Sequence, residues 1–277
     1  MRRFLNDITI VGAMLVSRAG PLLHYSIPNL LKWCDWILIM LDNEDEATTK
    51  IVSGYKKQYD ERIRIAHSGF SRATEKQEEV GRLAEKEKGG LLRRFRSQQG
   101  EIRETVFRYL RGCSEKGERI DILIWPDSDE VFSDSFPELL KRFWATSDKR
   151  AITMKPVAVF DSMKIIKAHS MAAHVRVLRY ATDFVATPRR ALCNYNPITK
   201  RDRMADRFTL IHLHSLLPEM RKWRSEHWKT TKLTENLLWK TEKDVRHMTP
   251  SEIEKVLKDE ESFATVGEYL KITNQEI

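Results

Sequence analysis

Apolar residues fill nearly every position of Ile8-Thr9-Ile10-Val11-Gly12-Ala13-Met14-Leu15-Val16. A run without polar alternation suits a strand covered on both faces, as in a parallel sheet. After Ser17-Arg18-Ala19-Gly20-Pro21, the residues Leu22, Leu23, Ile27, Leu30 and Leu31 fall at helical spacing, and Pro28 is expected to kink or end that helix. Trp36-Ile37-Leu38-Ile39-Met40-Leu41 predicts a second buried strand that ends in Asp42-Asn43-Glu44-Asp45. A strand, helix, strand order with parallel strands implies a right-handed crossover and a ligand crevice at the carboxyl ends of the strands.

Residues 46–59 predict another helix and Arg62-Ile63-Arg64-Ile65-Ala66 a short third strand. Residues 72–88 are almost wholly polar and charged, which reads as a solvated helix or loop with Gly89-Gly90 as its stop. A helix over 97–111 would bury Ile102, Val106, Tyr109 and Leu110. Ile120-Asp121-Ile122-Leu123-Ile124-Trp125 then forms a strand that delivers Pro126-Asp127-Ser128-Asp129-Glu130. Ser135-Phe136-Pro137-Glu138 reads as a capping box opening a helix through Trp144. Beyond residue 150, strand-like segments at 151–160 and 174–180 suggest an antiparallel or mixed extension of the sheet, with one more strand at 208–214. From Pro218 onward the pattern is helical, basic and rich in tryptophan, and Thr249-Pro250-Ser251-Glu252 is a second capping box. The expected fold class is α/β, a mixed sheet flanked by helices. One domain covers 1–217, and a helical extension over 218–277 packs on it.

Composition adds few constraints. Hydrophobic residues make up 41% and charged residues 32% of the 277-residue chain, which places it among globular proteins rather than disordered ones. No run approaches the roughly 20 apolar residues of a membrane helix, so no membrane partner is expected. The basic start Met1-Arg2-Arg3-Phe4 is followed by Asn6 and Asp7, which reads as the approach to a strand rather than a signal peptide, and cytoplasmic residence, in a bacterium or a virus-infected host cell, is the expectation. Cys34, Cys113 and Cys193 are far apart with no CxxC pair, arguing against a disulfide framework or zinc site. A net charge of +8 points to an anionic substrate or a polyanionic partner such as DNA.

The candidate chemistry lies after the strand at 120–125. Asp127 and Asp129 alternate across Ser128, so both carboxylates can turn toward the crevice and offer hard oxygen ligands to Mn²⁺ or Mg²⁺. Substrate phosphate oxygens typically complete such a site, and the ion offsets charge developing on a diphosphate leaving group. The bland alternative is an acidic turn after a strand. His212 and His214 alternate on a predicted strand and so share a face, where a histidine could complete the same site or simply meet solvent. Transfer with inversion needs a carboxylate base beside the acceptor hydroxyl. Asp183 and Asp161 are the downstream candidates, and each could equally be a turn residue.

A first strand, an acidic residue ending the second, an arginine before the fourth and then Asp127-Ser128-Asp129 together resemble the GT-A glycosyltransferases of the family 2 type, over residues 7–145. The resemblance implies a Rossmann-like nucleotide-sugar-binding domain, a nucleotide-diphosphate donor such as a UDP-sugar, and hexosyl or pentosyl transfer to a hydroxyl acceptor. It implies that Asp42 contacts the base, that Arg103 lies near the nucleotide, and that Asp127 and Asp129 hold the metal. The expected nucleotide contacts are Asp42, Asn43, Arg18 and Arg103. In such enzymes a late histidine often completes the metal site, and His214 is the candidate. The chain departs from the common pattern at Asp42-Asn43-Glu44-Asp45, where small and hydroxyl residues are usual.

Rival readings remain. Asp127-Ser128-Asp129-Glu130-Val131 also fits the Asp-x-Asp-x-Val pattern of haloacid-dehalogenase-type phosphatases, although that motif normally follows the first strand of the core. Lys222-Trp223-Arg224, His227-Trp228-Lys229 and Lys232 interleave aromatic and basic groups, which suits either nucleic-acid stacking or packing of the last helices. Arg93, Arg94 and Arg96 form another basic cluster, suited to a diphosphate or a polyanionic acceptor. A non-catalytic nucleic-acid-binding protein is thus a further alternative, and a transferase acting on hydroxymethylated DNA combines both signals. The chain has neither GxxxxGK[ST] nor GxGxxG, which argues against P-loop and dinucleotide enzymes.

Overall fold

The computed structural model describes residues 7–16, 19–41, 46–68, 90–160, 162–167, 173–186, 195–196, 198–199, 201–215 and 247–248. The parallel half of the sheet comprises β1 (Ile10–Val16), β2 (Trp36–Leu41), β3 (Ile63–His67) and β4 (Ile122–Ile124), in the spatial order β3-β2-β1-β4. The sheet then changes direction, because β8 (His174–Arg179) pairs antiparallel with β4 and with β6 (Ala151–Phe160). Next come β7 (Ser162–Lys167) and a two-residue β12 (His247–Met248), both antiparallel. The long β11 (Arg203–Ser215) runs parallel to β6 and antiparallel to β5 (Glu130–Phe132), completing a ten-stranded sheet. A separate ribbon joins β9 (Val185–Ala186) to β10 (Tyr195–Asn196). The chain is therefore an α/β protein with a Rossmann-like mixed sheet, as the apolar runs and the later strand-like segments predict.

The strands β1, β2 and β4 are apolar throughout because both of their faces are covered, whereas β3 at the edge carries Arg64 and His67. Ile10, Met14 and Val16 of β1 join Ile37, Ile39 and Leu41 of β2 in one core with α1 (Leu23–Trp33) and α4 (Phe136–Ala145). Val11 and Ala13 point the other way, with Leu38 and Met40, toward Val106, Phe107 and Leu110 of α3 (Gly90–Glu115). The remaining helix, α2 (Glu46–Gln58), adds Val52 to the first core. Among the described residues no helix is long and apolar enough to cross a membrane.

Several local expectations yield to packing. Pro28 neither ends nor divides α1, which continues to Trp33. Burial of Leu23, Ile27, Leu30 and Leu31 at about 1.5–3 kcal/mol per side chain outweighs the roughly 3 kcal/mol cost of an interior proline. The helix α3 begins at Gly90 and is longer than 97–111, while residues 72–88 and Gly89 lie outside the described residues. It ends through Gly117, whose φ of 85° lets the amides of Gly117 and Glu118 return to the carbonyls of Ser114 and Cys113. Ser135 does not cap α4 through its side chain, because its hydroxyl bonds Ser133 Oγ at 2.7 Å. Within the predicted helical extension, the two described residues His247 and Met248 form strand β12 instead.

Gly12 lets α1 approach β1 closely. A Cβ there would lie 2.8 Å from Ile37 Cγ2 and 2.9 Å from both Cys34 Sγ and Leu30 Cδ2. Gly12→Ala is therefore expected to lower the unfolding free energy by about 1–3 kcal/mol through overpacking. Urea unfolding measures this, and an unchanged midpoint would mean that α1 lifts from the sheet at no cost.

Candidate active site

The Asp127–Glu130 turn emerges where the parallel strands end. Beyond β4 the chain remains tied to both neighbours. Trp125 N donates to Arg176 O of β8 at 2.7 Å, and Asp127 forms a parallel bridge with Leu15 of β1. The turn closes through Glu130 N to Asp127 O at 3.1 Å. The chain then enters β5, where Glu130 pairs with His212 of β11 and Leu213 N donates to Asp129 O at 2.7 Å. The opposite side of β5 is held by Asn29 of α1, whose amide donates to Phe132 O at 2.9 Å and accepts from Phe132 N at 2.8 Å. A buried side chain thus takes the place of a neighbouring strand, and the acidic turn is fixed on three sides.

Its side chains meet two arginines. Arg176, 2% exposed, donates through Nη2 to Asp127 Oδ2 and to Glu130 Oε1, the latter at 2.7 Å. Glu130 Oε2 accepts the backbone N–H of Asp127 at 2.8 Å. Arg103 of α3 brings Nη2 to 3.9 Å from Asp127 Oδ1 and stands 6.0 Å over the ring of Trp125. On the β11 side, His212 Nε2 lies 3.4 Å from Asp129 Oδ2.

Burial separates the two carboxylates that share Arg176. Desolvation pushes the Asp127 carboxyl up, as does the charge of Asp129, yet the guanidiniums of Arg176 and Arg103 outweigh both and hold it below the ordinary range. Glu130 is deeper. Its burial exceeds the pull of Arg176, the Asp127 charge adds to it, and its carboxyl rises to about 7. Asp127 therefore stays anionic at neutral pH, while Glu130 titrates near neutrality.

Of the residues singled out in the sequence, the structure places Arg103 3.9 Å from Asp127, in the same turn as Asp129. Asp183 lies elsewhere. Because β8 runs antiparallel to β4, the chain after Arg179 returns to the start of β4, where Tyr180 N bonds Asp121 O at 2.9 Å. There Asp183 Oδ1 sits 3.8 Å from Arg150, at the opposite end of β4 from the acidic turn. Among the described residues, the histidine that meets the carboxylates is His212. The backbone of His214 belongs to β11, and its side chain falls outside the described residues. Arg18, Asp42, Asn43 and Asp161 also lie outside them, as do Lys222-Trp223-Arg224, His227-Trp228-Lys229, Lys232 and the side chains of Arg93, Arg94 and Arg96.

Arg176, Asn29 and the raised Glu130 carboxyl have no counterpart in the sequence reading. Arg176 did leave one signal, as a charge flanked by Val175 and Val177 within a predicted strand.

No protein-family model matches the sequence, and no curated protein does. Among solved structures, the chain is similar to S. aureus TarS 1-349, with a TM-score of 0.40, 12% identity, and coverage of 83% of this chain and 67% of that chain. The same fragment in complex with UDP-GlcNAc gives a TM-score of 0.42 at 10% identity, covering 83% and 68%. Against the longer S. aureus TarS chain the TM-score is 0.41 at 11% identity, and the present chain spans 44% of its length.

The raised Glu130 carboxyl has a consequence for stability. The folded state binds a proton there that the unfolded state releases near its ordinary value of 4.5, so stability falls as pH rises from about 4.5 to 7. In metal-free buffer, raising the pH from about 5.5 to 7.5 is expected to cost the wild-type protein about 1–3 kcal/mol more than Glu130→Gln. Urea midpoints of the two proteins at both pH values measure the difference, and parallel pH profiles would exclude it.

Proposed function

We propose that the chain is a nucleotide-sugar glycosyltransferase of GT-A type, moving a sugar from a nucleoside-diphosphate donor, a UDP-sugar, to a hydroxyl acceptor with the help of Mn²⁺ or Mg²⁺. The observation that supports this reading is the meeting of Asp127 and Asp129 with Arg103 at the carboxyl ends of β1 and β4. Crevices at that edge of a parallel sheet commonly receive nucleotides. Two neighbouring carboxylates would repel a diphosphate unless a cation intervened.

The donor set suits a divalent ion. Asp127 and Asp129 stand two residues apart in one turn, the charge of Asp129 opposes ionisation of Asp127, and the His212 imidazole borders Asp129. Among the described residues no group of three or more His, Cys, Asp or Glu side chains is placed to hold an ion by itself, so in this proposal diphosphate oxygens and water would complete the coordination. Asp127 and Asp129 together are the protein ligands in this proposal. When bound, the ion supplies Lewis-acid stabilisation of the departing diphosphate. Arg103 places positive charge beside the same group. For the acceptor base, Asp161 is retained in this proposal over Asp183, which lies at the opposite end of β4 from the acidic turn. Held between two guanidiniums after the fourth strand, Asp127 does not suit the phosphatase alternative, which needs an unencumbered nucleophile.

Calorimetric titration of UDP into metal-free protein, with and without Mn²⁺, tests the donor site. Binding is expected only with the ion, and Asp129→Ala should weaken it by about 10- to 100-fold. Absence of nucleoside-diphosphate binding under every condition would falsify the reading. The net charge of +8 supports a polyanionic acceptor such as hydroxymethylated DNA. A competition assay with labelled donor should show transfer to that DNA over a neutral hydroxyl acceptor, and equal transfer to both would remove the DNA extension.

A further inference from the structure

Arg176 lies on β8 between Val175 and Val177, and its side chain is 2% exposed. Of the two carboxylates it holds, the Glu130 side chain is 1% exposed and that of Asp127 is 40% exposed. The guanidinium therefore faces the interior, and Asp127 is the part of this assembly that a ligand can touch. Arg103 contributes charge to Asp127 from 3.9 Å, which is too long for a hydrogen bond. Arg176 makes the directional contact. An aspartate on a turn otherwise samples several χ1 wells, and a charge-assisted hydrogen bond, about twice as strong as a neutral one, selects among them.

We propose that Arg176 is a positioning residue that acts through Asp127 to set the affinity of the site for a nucleoside diphosphate. The inference rests on the donor-site reading above. Its rival is a purely structural role, in which Arg176 only neutralises the buried Glu130. The two differ in what happens once Glu130 no longer carries a charge. In a Glu130→Gln background, Arg176→Gln strands no buried carboxylate, because Asp127 still reaches solvent. A merely structural arginine then becomes dispensable, whereas a positioning one does not.

The test is a double-mutant cycle in the Glu130→Gln background. Arg176→Gln and Asp127→Asn are made singly and together, UDP with Mn²⁺ is titrated calorimetrically, and thermal midpoints are recorded alongside. Arg176→Gln is expected to weaken UDP binding by about 10- to 100-fold while Asp127 is present. Once Asp127→Asn is in place, the same change should alter binding by less than about twofold. An equal loss in both backgrounds, or no loss in either, overturns the proposal. A wild-type protein that binds no nucleoside diphosphate overturns the donor-site reading and this inference together. That result is distinct from tight wild-type binding that survives Arg176→Gln. If the Gln variant does not fold, Arg176→Lys replaces it in the same cycle, keeping the charge on a shorter stem. A smaller loss confined to the Asp127 background then supports the proposal, and wild-type affinity overturns it.

Discussion

One guanidinium shared by two carboxylates is the constraint around which the acidic turn is arranged. Removing charges from water costs several kcal/mol per ion, and only close, well-directed pairing recovers it. Arg176 Nη2 serves Asp127 and Glu130 together, and Glu130 returns its second oxygen to the Asp127 amide. The resulting loop of contacts includes two side chains and one peptide of the turn, so none can move without exposing a buried charge or amide. Depth then decides how the charge is divided. Glu130 is the more buried carboxylate and moves toward neutrality, which leaves the anionic form to Asp127 at the mouth of the site. Because Arg176 belongs to β8, the antiparallel half of the sheet supplies the counter-charge for a turn built on the parallel half.

The parallel half was legible in the sequence because it is buried on both sides. Ile10–Val16 and Trp36–Leu41 have no exposed face to mark with polar residues, and uninterrupted apolar runs are the consequence. The position of Asp127 and Asp129 was legible for a related reason, since Ile122–Ile124 can end only where polar groups regain access to solvent. Arg176 shows the converse. A charged residue in a strand normally marks a solvent face, and only a partner distant in sequence permits it to be buried. Those partners, Asp127 and Glu130, are 49 and 46 residues away.

Direction of travel was a further blind spot. Strand-like segments at 151–160 and 174–180 predict an extension of the sheet without fixing which way each strand runs. The antiparallel pairing of β8 with β4 carries Asp183 away from the acidic turn, and the antiparallel pairing of β11 with β5 brings His212 toward it. Asn29 makes the same point for a helix. It follows a proline in a segment whose helical continuation was itself in doubt, yet it clamps Phe132 from 103 residues away. Local propensity at Pro28 and Ser135 was overridden where packing or a nearby hydroxyl offered more than the local preference could.

Charge balance connects these features to the proposed chemistry. A turn bearing Asp127, Asp129 and Glu130 would, uncompensated, repel an anionic ligand. Arg176 and Arg103 offset Asp127, burial drives Glu130 toward its neutral form, and His212 Nε2 lies 3.4 Å from Asp129. Attraction between opposite charges at the Arg176 site is strong because water is excluded there, whereas the Asp127 side chain, 40% exposed, reaches the solvent boundary. The arrangement thus keeps rigid charge pairs inside and presents Asp127 at the mouth of the site. Under the proposed function that division has a physical rationale. The inner pairs preorganise the turn before any ligand arrives, and Asp127 and Asp129 complete the coordination only when a cation and a diphosphate are present together.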